Sequence, residues 1–353
     1  MIKIDKLREC FAKHHIDAML VTSPYNRRYI TNFTGSAGSA LITETDCLFI
    51  TDFRYTEQAS SQAKGYDIIQ HNGSIIDEIA KQVEKLGIRK LGFEKDYVTF
   101  SEYQLYQKAL QAELIPVSRL IENLRLIKSE QEIKTLKVAA DIADATFKHI
   151  LDYLKPGVSE LDVANEMEYF MRKAGATSSS FDTIVASGKR SALPHGVASN
   201  KVIEKGDFVT LDFGALYNGY VSDLTRTVAV GEPSEKLKEI YQIVLEAQLR
   251  AMNQLTSGMT GVEADAIARD YITEKGYGDH FGHSLGHGIG LEVHEGPSLS
   301  TRSKTVLKPG MIVTVEPGIY LQGIGGVRIE DDTIIKDTGN EPLTHSPKDL
   351  IIL

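Results

Sequence analysis

The chain has 353 residues, of which 42% are hydrophobic and 25% charged, a composition that excludes collagen-like, low-complexity and mainly disordered proteins. Its formal net charge is −9 with no basic run, which argues against nucleic acid as a partner. Two cysteines cannot form a disulfide framework, and neither a signal-peptide pattern nor a membrane-length apolar stretch is present. We therefore expect a cytoplasmic protein without membrane partners.

The first 125 residues alternate between helical and strand-like patterns. Helical spacing covers 4–13, 55–64, 75–86 and 100–111, and short apolar runs typical of strands cover 16–21, 40–43, 47–51 and 90–93. This alternation predicts an α/β domain. The glycines of this part do not form a GxGxxG fingerprint, so no dinucleotide site is expected.

The pattern changes near residue 125. Ser129 is followed three residues later by Glu132, a spacing typical of a capping box. Apolar residues then recur with helical period from Ile133 to Ile150. These features predict a boundary that divides the chain into domains 1–125 and 126–353.

The second domain contains an internal repeat. Segments 154–175 and 255–276 each predict the end of one helix, a glycine turn and a second amphipathic helix. Segments 202–214 and 306–318 each predict a glycine turn and an apolar strand that ends in a carboxylate, one further residue and a glycine. A duplicated unit of this kind packs as two halves about a pseudo-twofold axis, which would bring Asp212 and Glu316 together.

Further acids follow both strands. Each strand is expected to lead through a turn into a return strand, and these return strands would carry Asp223 and Glu330. A single carboxylate of this kind could belong to a surface turn, but matched positions in both halves favour a site. Four negative charges in one cavity repel each other unless cations are present. A pair of carboxylate-bridged divalent metals, an arrangement used for hydrolysis, would resolve this repulsion.

Four of the ten histidines fall in the short stretch 280–294. Glycines at 282, 286, 288 and 290 argue against a helix there, so His283 and His287 are not an HExxH-type zinc pair. Each histidine alone could be a polar loop residue, but their clustering favours a function. One imidazole beside four carboxylates makes an oxygen-rich site, which favours Mn²⁺ or a similar ion over structural Zn²⁺.

These motifs resemble the Xaa-Pro peptidases of the pita-bread metallopeptidase superfamily, peptidase family M24. The resemblance covers nearly the whole chain and rests on TLDFG at 210–214, SDLTRT at 222–227, HSLGHGIGLEVHE at 283–295, VEPGIY at 315–320 and GVRIEDD at 326–332. FTGSAG at 33–38 and TDFRY at 51–55 are similar to the non-catalytic domain of that family. The implied architecture is α/β (α+β), with an N-terminal creatinase-like α/β domain and a C-terminal pita-bread metallopeptidase domain that contains the repeat.

The resemblance also implies a set of metal ligands. They are Asp212, Asp223, His287, Glu316 and Glu330. Asp223 and Glu330 would bridge two divalent ions, Asp212 would bind one of them, and His287 with Glu316 the other. The implied ion is Mn²⁺, with Co²⁺ or Zn²⁺ as alternatives. A water or hydroxide that bridges the metals would attack the carbonyl before proline, and Glu316 would carry a proton to the leaving nitrogen.

Four other residues match positions with implied roles outside the ligand set. His195 and His294 resemble the histidines that hydrogen-bond the substrate and the tetrahedral intermediate. His283 resembles a residue of the substrate pocket. Arg328 resembles a cation of the pocket or of the surroundings of the metals, but a plain salt bridge to a neighbouring acid is an equal alternative.

The implied substrate is a peptide with proline in the second position, and the implied assembly is a homodimer. Prolidases that resemble this chain often carry an arginine directly after the His-Glu-x-Pro stretch, where this chain has Ser298. The missing carboxylate-binding residue favours an Xaa-Pro aminopeptidase over an Xaa-Pro dipeptidase. Arg302 lies close enough in sequence to keep the dipeptidase open. A non-catalytic peptide-binding module is a third alternative, disfavoured by the complete ligand set.

Overall fold

The computed structural model describes residues 2–353, which divide into two compact units. One unit ends at Arg125 and the other covers Leu126–Leu353. Among the described helices, none is both long and apolar enough to cross a membrane.

The N-terminal unit is built around one mixed six-stranded sheet with the order β4-β3-β2-β1-β5-β6. Its strands are β1 (Ala18–Val21), β2 (Ser39–Thr43), β3 (Cys47–Thr51), β4 (Asp67–Gln70), β5 (Lys90–Glu94) and β6 (Glu113–Val117). Its helices are α1 (Ile2–Arg8), α2 (Phe11–His14), α3 (Pro24–Thr31), α4 (Thr56–Gln62), α5 (Ile75–Lys85), α6 (Phe100–Ala109) and α7 (Leu120–Arg125). Strand β1 is antiparallel to β2 and parallel to β5, so the predicted α/β class is confirmed.

The predicted elements of this unit agree with the structure except that one predicted helix is two helices and that some elements were not predicted. The predicted helix 4–13 is two helices, because the chain turns tightly where the Cys10 N–H donates to the Leu7 carbonyl (3.1 Å). The sequence patterns also missed the short helices α3 and α7 and the strands β4 and β6. The two strands are edge strands of the sheet, and their partly exposed residues and Pro116 leave no apolar run to detect.

The C-terminal unit contains four long helices and several small sheets. The helices are α8 (Glu130–Tyr153), α9 (Glu160–Lys173), α10 (Glu235–Gln254) and α11 (Gly261–Glu274). The strands are β7 (Ser178–Ser179), β8 (Ile184–Ser187), β9 (Asp207–Phe213), β10 (Ala215–Tyr217), β11 (Tyr220–Val221), β12 (Leu224–Val230), β13 (Gly286–Gly288), β14 (Glu295–Leu299), β15 (Ile312–Val315), β16 (Gly318–Leu321), β17 (Gly325–Arg328), β18 (Asp331–Ile335) and β19 (Asn340–Pro342). The two sheets that matter most for the site have the orders β12-β9-β8 and β14-β13-β15-β18-β19.

The internal repeat is confirmed in this unit. Helices α8 and α9 pack with β8, β9 and β12 in one apolar cluster, and α10 and α11 pack with β15 in another. The second helix of each pair begins with a capping box, at Ser159 and at Thr260. The turns before these caps contain Gly157 and Gly258, whose positive φ angles of 98° and 90° favour glycine. The two halves are therefore built alike, down to their turn residues.

The strands of both halves deliver acids to one place. Asp212 lies in β9 opposite Thr225 of β12, and Glu316 directly follows β15. The expectation that Asp223 and Glu330 lie inside return strands is wrong. Each acid instead occupies the break where the chain leaves one small sheet and enters another, between β11 and β12 or between β17 and β18. In a continuous strand, successive side chains point to opposite faces of the sheet. A residue at such a break does not have to follow this pattern.

Candidate metal centre

A cavity of about 490 Å³ lies in the C-terminal unit. It is lined by every site residue that the sequence predicts: His195, Asp212, Asp223, His283, His287, His294, Glu316, Arg328 and Glu330. Apolar side chains, among them Phe181, Ile184 and Val293, line the rest. Such a combination of apolar walls and a few converging polar groups is typical of a small-molecule site.

One cluster in this cavity that could hold a metal ion consists of Asp223, His287 and Glu330. One potential ligand atom from each lies within 4.8 Å of the others. His287 Nε2 is 3.8 Å from Asp223 Oδ2 and 3.4 Å from Glu316 Oε1. The geometry therefore places Glu316 beside the imidazole with which it was expected to share a metal.

The carboxylates are buried, which makes their charge costly. Burial, followed by the charge of Glu330, raises the pKa of Asp223, and burial followed by Glu316 raises the pKa of Glu330. Burial also raises the pKa of Glu316 to about 8. The acids can all be ionised together only if positive charge enters the cavity.

Three buried oxygens in this cavity have no hydrogen-bond partner within the described chain. They are Asp212 Oδ1, Asp223 Oδ1 and Glu330 Oε1. Native proteins satisfy nearly all buried polar atoms, so a group of orphaned acceptors calls for a missing partner. Four carboxylates and one imidazole are a donor set that suits divalent cations. The residues present therefore fit a metal pair.

The imidazole of His287 has the tautomer and the protonation state that metal binding requires. Its Nδ1 lies 3.1 Å from the Gly288 carbonyl, so this nitrogen carries the proton and Nε2 keeps a free lone pair. Burial lowers the pKa of His287 to about 4, which keeps the ring neutral at physiological pH. Neutral imidazole is the form that binds metals.

Several orienting residues were missed by sequence reasoning. The Thr225 hydroxyl donates to Glu330 Oε2 (2.5 Å), and Asp332 Oδ2 accepts from the backbone N–H of Asp223 (2.9 Å). The Thr314 hydroxyl donates to Glu316 Oε1 (3.2 Å). Thr225 and Asp332 lie in the quoted motifs and Thr314 lies in the repeated segment 306–318, but only their contacts distinguish them from ordinary strand residues.

Arg328 makes the salt bridge that was one of its two expected alternatives. Its guanidinium contacts Asp212 Oδ2 and also donates to the Tyr320 hydroxyl (2.8 Å). The same hydroxyl lies 2.8 Å from His283 Nε2. Burial raises the pKa of Tyr320 to about 12 and lowers that of His283 to about 4, so both groups are neutral. Tyr320 was part of a quoted motif, but no role had been assigned to it.

The two remaining histidines lie at more exposed parts of the cavity. The ring of His294 is 4.3 Å from that of His287, centroid to centroid. His195 is exposed in the segment that follows β8. Both imidazoles can therefore meet a ligand that enters from solvent.

Two family models match the chain. The model described as metallopeptidase family M24 matches residues 134–337, and the creatinase/prolidase N-terminal domain matches residues 3–127. The chain belongs to metallopeptidase family M24. The recognition of this family from the sequence motifs is thereby confirmed, as is the fold class.

Several relatives are similar to this M24 chain over nearly the whole length of both chains. A solved structure described as Xaa-Pro dipeptidase from Bacillus anthracis is 67% identical with a TM-score of 0.99, and the match covers 100% of this chain and 99% of that one. A protein named Xaa-Pro dipeptidase from Pyrococcus horikoshii is 46% identical over 99% of this chain and 98% of its own. A structure described as X-Pro aminopeptidase from Thermotoga maritima is 43% identical with a TM-score of 0.91, covering 96% and 98%.

These findings define the class of the M24 chain. It is a metallo-exopeptidase, and its family uses a dinuclear divalent metal site. The expected aminopeptidase activity is less well supported than its stated alternative, because more of the similar proteins carry a dipeptidase or prolidase description.

A second pocket of about 260 Å³ adjoins the metal cavity in this M24 chain. The two share His283 and Ser284 as lining residues. Arg302 also lines the smaller pocket, is exposed, and makes no hydrogen bond or ion pair within residues 2–353. Ser298, the residue that had argued for an aminopeptidase, lies in β14 and lines neither pocket.

Proposed function

We propose that this metallo-exopeptidase is an Xaa-Pro dipeptidase. The proposal is supported by the descriptions of similar proteins from Bacillus anthracis and Pyrococcus horikoshii. It also reverses the preference for an aminopeptidase, which was based on the presence of Ser298 instead of an arginine. A dipeptidase must bind the free carboxylate of a short substrate, and Ser298 was expected to occupy the place of the group that does so.

The observation that carries the proposal is the position of Arg302. Its unpaired guanidinium lines the pocket that continues the metal cavity past His283 and Ser284. An arginine fork is well suited to bind a carboxylate through two parallel hydrogen bonds. A dipeptide whose scissile carbonyl lies at the metal centre would direct its carboxylate toward this pocket.

The proposed reaction is hydrolysis of the amide bond before proline. Bound divalent cations would be held by Asp212, Asp223, His287, Glu316 and Glu330. When bound, such a pair polarises a carbonyl group and lowers the pKa of water toward neutrality. The leaving nitrogen of an Xaa-Pro bond has no hydrogen of its own and must receive a proton. The carboxyl of Glu316 would accept a proton from the attacking water and donate it to this nitrogen.

The histidines and Arg328 would act on the substrate side. His195 and His294 would hydrogen-bond the carbonyl oxygen as negative charge develops on it. His283 would line the proline subsite, with its ring oriented by the hydrogen bond to Tyr320. Arg328 would hold Asp212 and Tyr320 in place through the contacts that it makes in the structure.

An Xaa-Pro aminopeptidase is the second candidate. It is supported by the Thermotoga maritima structure described as an X-Pro aminopeptidase. The two candidates differ in the C-terminal group of the substrate's proline, which is a free carboxylate for a dipeptidase and a further peptide bond for an aminopeptidase.

A matched pair of substrates tests the proposal. Purified protein with Mn²⁺ is given an Xaa-Pro dipeptide or the corresponding Xaa-Pro-Xaa tripeptide, with chelator as control. We expect cleavage of the dipeptide and little cleavage of the tripeptide. The opposite preference would identify an aminopeptidase, and failure to cleave either substrate despite bound metal would rule out both Xaa-Pro activities.

Three expectations from the sequence stay predictions. Mn²⁺ is proposed as the ion because the donor set is rich in oxygen. A homodimer is proposed from the resemblance to the family, and sedimentation of the purified chain would test it. The cytoplasmic location can be tested by fractionation of cells that express the protein.

A further inference from the structure

Segment 187–199 carries His195 into the metal cavity. It begins at Ser187, the last residue of β8, and ends at Ser199. Because β8 pairs with β9, with Ile184 opposite Asp212, the start of the segment is fixed relative to the metal ligands. The imidazole of His195 has no hydrogen-bond partner among the described residues, so its position depends on the segment that carries it.

Both ends of this segment are bound to one carboxylate, that of Glu160. Oε1 accepts from the N–H (2.7 Å) and the hydroxyl (2.9 Å) of Ser187. Oε2 accepts from the N–H (3.2 Å) and the hydroxyl (2.6 Å) of Ser199. The carboxylate thus ties together the two ends of the segment, which forms a loop. Backbone hydrogen bonds from the Leu161 N–H to the Ser199 carbonyl (3.0 Å) and from the Ala198 N–H to the Thr183 carbonyl (3.4 Å) hold the returning end as well.

Arg190 connects the same carboxylate to the middle of the loop. Its Nε donates to Glu160 Oε2 (2.9 Å), and its terminal nitrogen donates to the Val197 carbonyl (2.7 Å). Val197 and His195 both line the metal cavity. The chain of contacts therefore runs from Glu160 through Arg190 to the residues that flank His195.

The burial of Glu160 makes these contacts interdependent. The side chain is 0% exposed and lies in the first turn of α9. A buried carboxylate is tolerated only when donors replace its water, and here those donors are the loop itself and Arg190. Movement of the loop would leave the charge unsatisfied, so the loop is held in one arrangement.

We propose that Glu160 is a positioning residue for His195, which keeps this imidazole at the metal cavity by holding both ends of its loop. The proposal rests on the proposed function, in which His195 hydrogen-bonds the substrate. Glu160 itself does not line the cavity. Pro194 and Val197 of the same segment also line the cavity, but His195 is the residue of the segment with a proposed hydrogen bond to the substrate. The effect of Glu160 on the reaction should therefore pass mainly through His195.

The test uses Glu160→Gln in the full chain with Mn²⁺. A glutamine places an amide donor against the donors of the loop, so we expect kcat/KM for an Xaa-Pro dipeptide to fall about tenfold or more while two equivalents of metal remain bound. The matched control is Glu166→Gln on the same helix, which removes a carboxylate that bonds His149 (2.6 Å) instead of the loop. This control should retain the parent activity.

A double mutant separates positioning from general damage. In a His195→Ala background, Glu160→Gln should lower kcat/KM less than about twofold, because the group that it positions is already absent. A full tenfold loss in that background would overturn the proposal. If Glu160→Gln does not fold, Ser199→Ala removes the hydroxyl contact to Glu160 together with the hydrogen bond from the Lys201 N–H (3.2 Å), and it should show the same coupling at smaller size.

Hydrogen exchange gives a readout that does not need activity. The amides of Ser187 and Ser199 should exchange faster in Glu160→Gln, while those of β9 and β12 stay protected. Exchange rates at Ser187 and Ser199 that do not change in Glu160→Gln would overturn the proposal. If the parent cleaves no Xaa-Pro substrate, the proposed function fails, and the exchange rates still decide whether Glu160 holds the loop.

Discussion

At the scale of single residues, the site is defined by acids that cannot all be charged without a cation. Burial raises the pKa of Glu316 to about 8 and also raises the pKa values of Asp223 and Glu330. Orphaned oxygens on Asp212, Asp223 and Glu330 face no donor among the described residues. These acids are the proposed metal ligands, and a bound cation would offset the cost of their charge, because ligation requires the deprotonated form.

Replacement of Glu330 by Gln should therefore damage metal binding directly. The change removes one negative charge and one strong oxygen ligand, so we expect the bound metal to fall below two equivalents and kcat to fall at least about 100-fold. Metal content after dialysis and peptide hydrolysis measure the two effects. Glu341→Gln is the control, since Glu341 is a half-exposed carboxylate that pairs with Lys137 and Lys336. Full metal content in Glu330→Gln would contradict the proposed ligand role.

Arg302→Ala should weaken the binding of a free substrate carboxylate. We expect KM for an Xaa-Pro dipeptide to rise about tenfold, the range of one charge-assisted pair, with little change in kcat. Xaa-Pro amides, which lack the charge, should be affected little. Lys304→Ala removes a nearby exposed cation that lines neither pocket and serves as the control. An equal effect on the acid and the amide would argue against carboxylate binding by Arg302.

At the scale of elements, the second helix of each half supports a loop with a cavity histidine. Helix α9 does so through Glu160, and α11 does so through the pair Asp265–Arg269. Arg269 donates to the carbonyls of Phe281 (2.9 Å) and His283 (2.6 Å), and Asp265 accepts from the Leu285 N–H (3.0 Å). The Leu285 carbonyl in turn accepts from the N–H of Glu316 (2.8 Å). The histidine-rich segment is thus anchored to α11 on one side and to Glu316, a proposed metal ligand, on the other.

We expect Arg269→Gln to lower kcat/KM for the dipeptide about tenfold, mostly through KM. The variant loses the hydrogen bonds from its guanidinium to two carbonyls beside His283, so the proline subsite should loosen while the metals stay bound. Steady-state kinetics with metal analysis checks this. The control is Arg250→Gln, which breaks a similar pair with Glu246 on α10 but contacts no part of the site. Loss of metal in Arg269→Gln would show that the helix supports the ligands rather than the subsite.

At the scale of the whole molecule, metal binding and folding are linked through protons. In the metal-free protein, Glu316 stays protonated up to about pH 8, whereas the same group in the unfolded chain ionises near pH 4.5. The folded state therefore binds more protons, and its stability must fall as the pH rises through this window. His283 and His287, with pKa values lowered to about 4, oppose this trend only below about pH 6.5.

Chelator-treated protein should therefore lose stability between pH 6.5 and pH 8. Each carboxyl group that stays protonated in the folded state while it is ionised in the unfolded chain lowers the free energy of unfolding by up to about 1.4 kcal/mol per pH unit. Urea unfolding at the two pH values measures the change. Added Mn²⁺ should reverse it, because the cations stabilise the ionised acids, and Glu316→Gln should flatten it. A free energy of unfolding that does not change with pH in the chelated protein would contradict this account.

The fold and the grouping of the candidate site residues were largely predictable from the sequence because their signals are local or repeated. Helical spacing and a capping box mark α8, amphipathic helical spacing marks α9 and α11, and glycines at matched offsets mark the repeat. The acids stood out because each follows an apolar strand in both halves. The partly exposed edge strands β4 and β6 carry no such signal and were missed.

The amino-acid sequence alone thus determined the family, the α/β class, the duplicated architecture and which acids and histidines to examine. The tertiary structure decided that Asp223 and Glu330 lie where the chain crosses between sheets, that Arg328 bonds Asp212 and Tyr320, and that Glu160 and Asp265 hold loops that carry histidines. The reason is physical. These contacts join residues that are far apart in sequence, and a buried carboxylate depends on the donors or cations that such contacts bring to it.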